Sequence, residues 1–324
     1  MAQFTIYQST DSGAPTLTGL TGSLLTVLDA ILVNGYGTQP GAGWLKPMAN
    51  TSSYGIYQLP SGSTGHYLFV DDAGSGSALG TEARLQGWDS ITTFDNGAVT
   101  GSNQFPTLAQ LAIGRGSVIA RKSTAPTAVA RTWIAFADSR SLYFNVLTGD
   151  VANNYFSFMF GEFFSIKSGS VDTGRTMIAG RSVASSSLAA TEKLDTLSYT
   201  ITTAVAGNFA AHAFGGGGSS ITLNKHGDAG KSNSATSLLG TVQYFNSADS
   251  GLYISPVWVV DNATSTVRGR MRGFHQFLHA ISNVSDGQVF TGSGEFAGRN
   301  FQVVKQTGNS GVYFMETTNT LETN

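Results

Sequence analysis

The chain has 324 residues, a formal charge of −2, no cysteine, and only 12% Asp, Glu, Lys and Arg, where soluble domains carry about 25%. Gly, Ser and Thr fill about a third of it, yet 41% of residues are hydrophobic and 20 Phe, 11 Tyr and 4 Trp are present. This excludes a disordered chain, a disulfide framework and a Cys-based metal site, and the weak charge argues against a nucleic-acid footprint over the whole molecule.

In chain order, Phe4 and Ile6 alternate with polar neighbours and predict a short strand, followed by an extended arm or loop over 9–19. Leu24, Leu25, Val27, Leu28, Ile31 and Leu32 recur at helical spacing, with Ser23 as expected N-cap and Gly35 as C′ residue. A second helix is expected from Pro106 to Ile113. Strand-like runs follow or intervene at 66–71, 117–121, 132–137, 141–147, 155–165, 176–179, 252–260, 300–305 and 311–316. The Gly-rich stretch 207–236, with Gly215–Gly218, reads as a mobile loop or linker. The expected fold is mainly β: two sandwich- or barrel-like units with one or two short helices. The expected divisions are an N-terminal arm and helix (1–54), a first β unit (55–150), a middle β segment with the Gly-rich loop (151–244), and a second β unit (245–324).

Two segments echo each other. Residues 131–148 read RTWIAFADSRSLYFNVLT and residues 299–318 read RNFQVVKQTGNSGVYFMETT, differing by two residues in the turn. Upstream, Gly65-His-Tyr67-Leu leads to Asp71 and Arg84, as Gly251-Leu-Tyr253-Ile leads to Asp261 and Arg270. The pattern predicts a degenerate duplication, which suits repetitive assembly better than a single catalytic cleft.

Local motifs for chemistry are weak. GDAGKS at 227–232 lacks the first Gly of a phosphate-binding loop, since Lys225 stands there, and a poor helix sequence follows. His275 and His279 have Gln276 where a zinc protease needs Glu, so they read as buried or interface histidines. Asp71 and Asp72 point to opposite sides of a strand end and read as turn formers. No nucleophile elbow occurs, and glycosylation sequons at Asn50, Asn262 and Asn283 have no supporting context. No enzyme activity, cofactor or metal is therefore expected. Arg268, Arg270 and Arg272, spaced by two, would line one face of a strand, and read as a solvated face with local acid partners, as a row that meets carboxylates of a neighbouring subunit, or as a contact to a phosphate backbone. No Lys or Arg precedes Lys46 and no apolar run approaches the roughly 20 residues of a membrane span, so neither a cleaved leader nor a membrane partner is expected.

The runs GSLLTVLDAILVNGYG, GWLKP, YLFVDDAG, LYISPVWVVDN, VRGRMRGFHQFLH and FAGRNFQVVK together resemble virion structural proteins of tailed bacteriophages, from about residue 20 to 316. The resemblance implies a multi-copy particle protein, tail-associated or decorating, assembled in the host bacterial cytoplasm, with no catalytic residues to transfer. Its expected partners are copies of itself and other virion proteins, with nucleic acid only nearby. Phe4, Ile6, the Arg268–Arg272 row and His275 are the expected subunit contacts. The competing expectation is a receptor- or glycan-binding β module using Tyr67 and Trp88. A polysaccharide hydrolase is the weakest expectation, because no acid/base pair can be named.

Overall fold

A short helix lies inside the curl of the larger of two sheets. The computed structural model describes residues 4–49, 51–73, 81–95, 97–111, 116–147, 155–168, 171–181, 206–213, 221–226, 254–261, 263–264, 266–277, 284–306 and 311–318. The strands are β1 (Thr5–Gln8), β2 (Tyr54–Gln58), β3 (Tyr67–Asp71), β4 (Glu82–Asp95), β5 (Ala98–Phe105), β6 (Val118–Arg121), β7 (Trp133–Ala137), β8 (Ser141–Leu147) and β9 (Tyr155–Glu162). They continue with β10 (Phe164–Ser165), β11 (Thr176–Arg181), β12 (Ala206–Ala210), β13 (Ile221–His226), β14 (Ile254–Asp261), β15 (Val267–Phe277), β16 (Val289–Thr291), β17 (Asn300–Gln306) and β18 (Gly311–Glu316). The fold is mainly β, with a curled half-barrel and a smaller sheet. Among the described residues one α-helix occurs, α1 (Ser23–Asp29), continued by a π-helical turn at Ala30–Asn34.

The half-barrel runs β2-β3-β4-β6-β11-β9-β8-β7-β1 through antiparallel pairs. The smaller sheet contains β14, β15, β18, β17 and β16 in that order, with β10 beside β15. Strand β13 belongs to both: Ile221 and Thr222 pair with β12, and Leu223 to His226 pair with β14.

Burial on both faces explains the uninterrupted apolar runs in the middle strands. Ala135, Ala137, Leu142, Phe144, Phe158, Phe160 and Ile178 face the α1 side, where Leu24, Leu25, Val27, Leu28, Ile31 and Leu32 fill the curl. The alternate residues Phe136, Tyr143, Met159, Met177 and Ala179 face the smaller sheet and meet Val257, Val259, Met271, Phe274, Tyr313 and Met315. A strand covered on both sides loses the polar half of the usual alternation. Phe274 stacks on Tyr313 with centroids 4.7 Å apart, and the Tyr143 hydroxyl donates to Arg272 O at 2.9 Å.

An isolated seven-residue helix is unstable in water, so α1 depends on this packing. Its N-terminus differs from expectation. Gly22, at φ 80°, is the N-cap and no local side chain caps it. Instead the Asp72 carboxylate, just past β3, accepts from Leu24 N at 3.0 Å. Asp72 is paired with Lys122, which also donates to Leu20 O at 2.6 Å. Burial pushes the Asp72 carboxyl up and the Lys122 ammonium down, and their mutual attraction opposes both. Gly35, at φ 75°, closes the helical segment as expected, with its N–H on Ala30 O.

Other expectations need correction. Of the helix expected from Pro106 to Ile113, residues 106–111 are described and form a single turn, in which Thr107 O accepts from both Gln110 N and Leu111 N; residues 112 and 113 lie outside the described residues. Segment 9–19 is bound to the body: Leu17 is buried and bridges to Arg131, and Gly19 N donates to Thr127 O. Within 207–236, β12 and β13 are strands where a loop was expected. Gly215–Gly218, GDAGKS at 227–232, His279, and the sequons at Asn50, Asn262 and Asn283 lie outside the described residues. The echoing segments both form hairpins, β7–β8 and β17–β18. Their surroundings differ: β15 pairs directly with β18, whereas β6, β11 and β9 stand between β4 and β8. Strands β8 and β9 also pair across residue 150.

Asp72→Ala removes the remote cap and leaves the Lys122 charge buried, so it should cost about 3–5 kcal/mol in chemical denaturation. Lys46→Ala breaks a part-exposed pair with Asp29, and should cost under about 1 kcal/mol.

Candidate functional site

Arg268, Arg270 and Arg272 stand on β15 at the expected two-residue spacing, but they do not form a surface row. Arg268 is fully buried; its Nη2 lies 3.4 Å from Asp172 Oδ2 and its Nη1 donates to His212 O at 2.8 Å. Arg272 is buried too, with Nη2 at 2.7 Å from Asp138 Oδ2 and Nη1 donating to Ser141 Oγ at 3.1 Å. Arg270 is half-buried, its guanidinium 5.6 Å from the centre of the Phe164 ring. The turns carrying Asp172 and Asp138 cover this face, so Arg268 and Arg272 have no charge to offer a neighbour. Gly269 lets β10 approach: a Cβ there would fall 1.8 Å from Phe164 O.

The other expected contacts also turn inward. Phe4 is buried with its ring 5.7 Å from Tyr143, and Ile6 packs on the same inter-sheet cluster. Strand β1 pairs with β7 rather than reaching outward. His275 is buried between the edges of Phe296 and Phe301, and its Nδ1 donates to Gly273 O at 3.3 Å. Burial pushes its pKa down to about 3, with the Arg299 and Arg270 charges adding to the shift.

Two arrangements have chemical content, and both lie on β4. The first is on its outer face. Trp88 lines a pocket of about 220 Å³ with Phe69, Asp71, Arg84, Gln86 and Gln104. The Trp88 indole donates to Gln86 Oε1 at 3.1 Å, and Gln86 Nε2 donates to Ser117 Oγ at 3.0 Å, which fixes the amide. Trp88 also joins Ile56, Phe69 and Ile91 in an apolar cluster, against which the half-buried Tyr67 packs. Phe105 crosses β4 at Gly87, where a Cβ would fall 2.2 Å from its ring. An indole beside a carboxylate, a guanidinium and amides can stack on an apolar ring face while binding hydroxyls.

The second arrangement is on the opposite face, since neighbouring residues of a strand alternate. Asp89 projects between two histidines: Oδ1 is 3.4 Å from His66 Nε2, and Oδ2 is 2.5 Å from His212 Nε2. The ligand atoms of the three residues all lie within 4.8 Å of one another. His66, immediately before β3, is buried, and its Nδ1 has no hydrogen-bond partner among the described residues. Its ring meets Phe105 edge-on at 6.0 Å. Burial lowers the His66 pKa to about 4; Asp89 opposes this, while His212 and Arg175 add to it. Asn103, at φ 46°, donates through Nδ2 to Asp89 Oδ1 at 3.1 Å and to Ala211 O at 2.8 Å. With Arg268 on His212 O, both carbonyls around the His212 peptide are held from the side.

No protein-family model matches the chain, and no curated protein matches it.

Of the expected residues, Trp88 lines the pocket and Tyr67 only packs on the apolar cluster beside it, whereas Arg268 serves the interior beside His212. The histidine–aspartate cluster had no local spacing to announce it, since His212 and Asp89 are 123 residues apart. One sequence signal did exist. The echo breaks at His66, whose counterpart between Gly251 and Tyr253 is Leu.

His275 gives a pH test. Its folded pKa is depressed to about 3, below the unfolded value of about 6.5, so the unfolded chain binds the extra proton. Stability from this group is present above about pH 6.5 and is lost as pH falls toward 3. The loss between pH 7 and 5 should be about 2 kcal/mol, and His275→Gln should remove that part of the acid sensitivity in denaturant titrations at the two pH values.

Proposed function

We propose that the chain is a structural component of a tailed bacteriophage virion, present in many copies, tail-associated, and acting by subunit packing rather than catalysis. The resemblance of its motifs supports this, and the observation that carries it is uncovered apolar surface. Val171 is 70% exposed, Leu108 60%, Val289 59% and Ile166 53%. Val289 stands on β16, which among the described residues pairs only with β17. Apolar side chains at a free strand edge offer both contact area and backbone hydrogen bonds to another copy. The sparse surface charge places few like-charge obstacles against such packing. Among the described residues, no helix is long and apolar enough to cross a membrane.

The Trp88 pocket favours a second reading, a receptor- or glycan-binding β module at a tail tip. Copy number separates the two. Gold-labelled antibody on particles should decorate a tail or shell along its length, and the purified chain should self-associate as its concentration rises in sedimentation runs. A few labels at a tip, with glycan-array binding abolished by Trp88→Ala, would select the second reading. A chain that stays monomeric and is absent from particles would sink the first.

A further inference from the structure

The geometry points to a divalent transition-metal site formed by His66, Asp89 and His212, with zinc as the fitting ion. The three residues come from three separate segments: the residue before β3, the middle of β4 and the residue pair after β12. They place His66 Nε2, both Asp89 oxygens and His212 Nε2 around one small volume.

A purely hydrogen-bonded triad explains this arrangement poorly. A neutral imidazole carries one N–H and one lone pair. If the His66 proton is on Nε2, it makes a long 3.4 Å contact to Asp89 while the Nδ1 lone pair is buried without a donor. If the proton is on Nδ1, that N–H is buried without an acceptor and the Nε2 lone pair faces a carboxylate oxygen. Nδ1 is thus unsatisfied among the described residues in either tautomer, with or without an ion. What the hydrogen-bonded triad leaves unexplained is Nε2, which makes a long contact in one tautomer and faces a carboxylate oxygen in the other. A cation between the three groups converts the second tautomer's repulsion into coordination.

The donor set selects the ion. Two imidazoles and one carboxylate suit zinc or a neighbouring first-row metal, whereas calcium and magnesium require mostly oxygen ligands. Tetrahedral zinc with bonds of about 2.0–2.1 Å places its ligands about 3.3 Å apart. The present spacings, from 2.5 Å upward and all within 4.8 Å, need only small side-chain adjustments to reach that. Three protein ligands leave one position for water, which can enter past the part-exposed Asp89 and His212 side chains. Asn103 and Arg268 act as positioning residues, one on the carboxylate and one on the His212 backbone. The bound ion would tie the start of β3 and the middle of β4 to the chain leaving β12.

The test uses the full chain, stripped with a chelator and then titrated with zinc chloride. One zinc per chain should remain after gel filtration, and Tm should rise on zinc addition. His212→Ala and Asp89→Asn should each abolish retention, and Asn103→Ala should weaken affinity by about tenfold. A readout independent of variants is the ring-nitrogen NMR spectrum, in which zinc should move His66 and His212 but leave the buried His275 in place. Zinc that is not retained at micromolar concentration, or that moves neither His66 nor His212, would overturn the site. Retention unchanged in both folded ligand variants would overturn it as well.

Discussion

Double-sided burial of four strands is the constraint on which the rest of the structure depends. Strands β7, β8, β9 and β11 present one set of side chains to α1 and the alternate set to the smaller sheet. In β8 the switch occurs between adjacent residues, Tyr143 and Phe144. A one-residue slip in these strands would exchange the two sets and misfit both layers. Two unlike partners therefore determine the register, and strands β4 and β15, which carry the other features, inherit their positions from it.

That constraint also explains where the charges went. A chain with only 18 Lys and Arg holds Arg121, Arg181, Arg268, Arg272 and Lys122 almost wholly inside. Each sits against an acid: Glu82 lies between Arg121 and Arg181, and Asp172, Asp138 and Asp72 serve the others. Buried pairs of this kind contribute little net stability, but breaking one is costly. They act here as fasteners between layers. Arg272 reaches from the smaller sheet to the turn before β8, and Arg268 reaches to the turn before β11.

Much of the fold was legible because short strands advertise themselves by apolar runs between turn residues. The hairpins at 132–147 and 300–316, the helical spacing of Leu24 to Leu32 and the terminating Gly35 all follow from local pattern. Strands β4, β5 and β15 were harder, since their polar residues Arg84, Gln86, Asp89 and Arg268 hide the period. The Arg row shows the limit most clearly. Its two-residue spacing is compatible with the strand β15, but spacing cannot say whether a face meets water or Asp172 and Asp138. The same limit hid His66, Asp89 and His212, which only the curl of the sheet brings together. Trp88 was found because a large aromatic stands out wherever it lies, although its partners Gln86 and Arg84 did not.

The distant cap on α1 has a kinetic consequence. Asp72 and Lys122 lie far along the chain from Leu24, so the helix start has no satisfied N-terminus until β3 and β6 are in place. Closing so long a loop early is entropically unfavourable, and seven residues cannot nucleate by themselves. Both costs favour late formation of the helix, once the curled sheet already offers its concave side. Substitutions along α1 then act mainly by accelerating escape from the native state, and leave the speed of its formation nearly unaltered. The small helix works as a latch on the assembled sheet rather than as its seed.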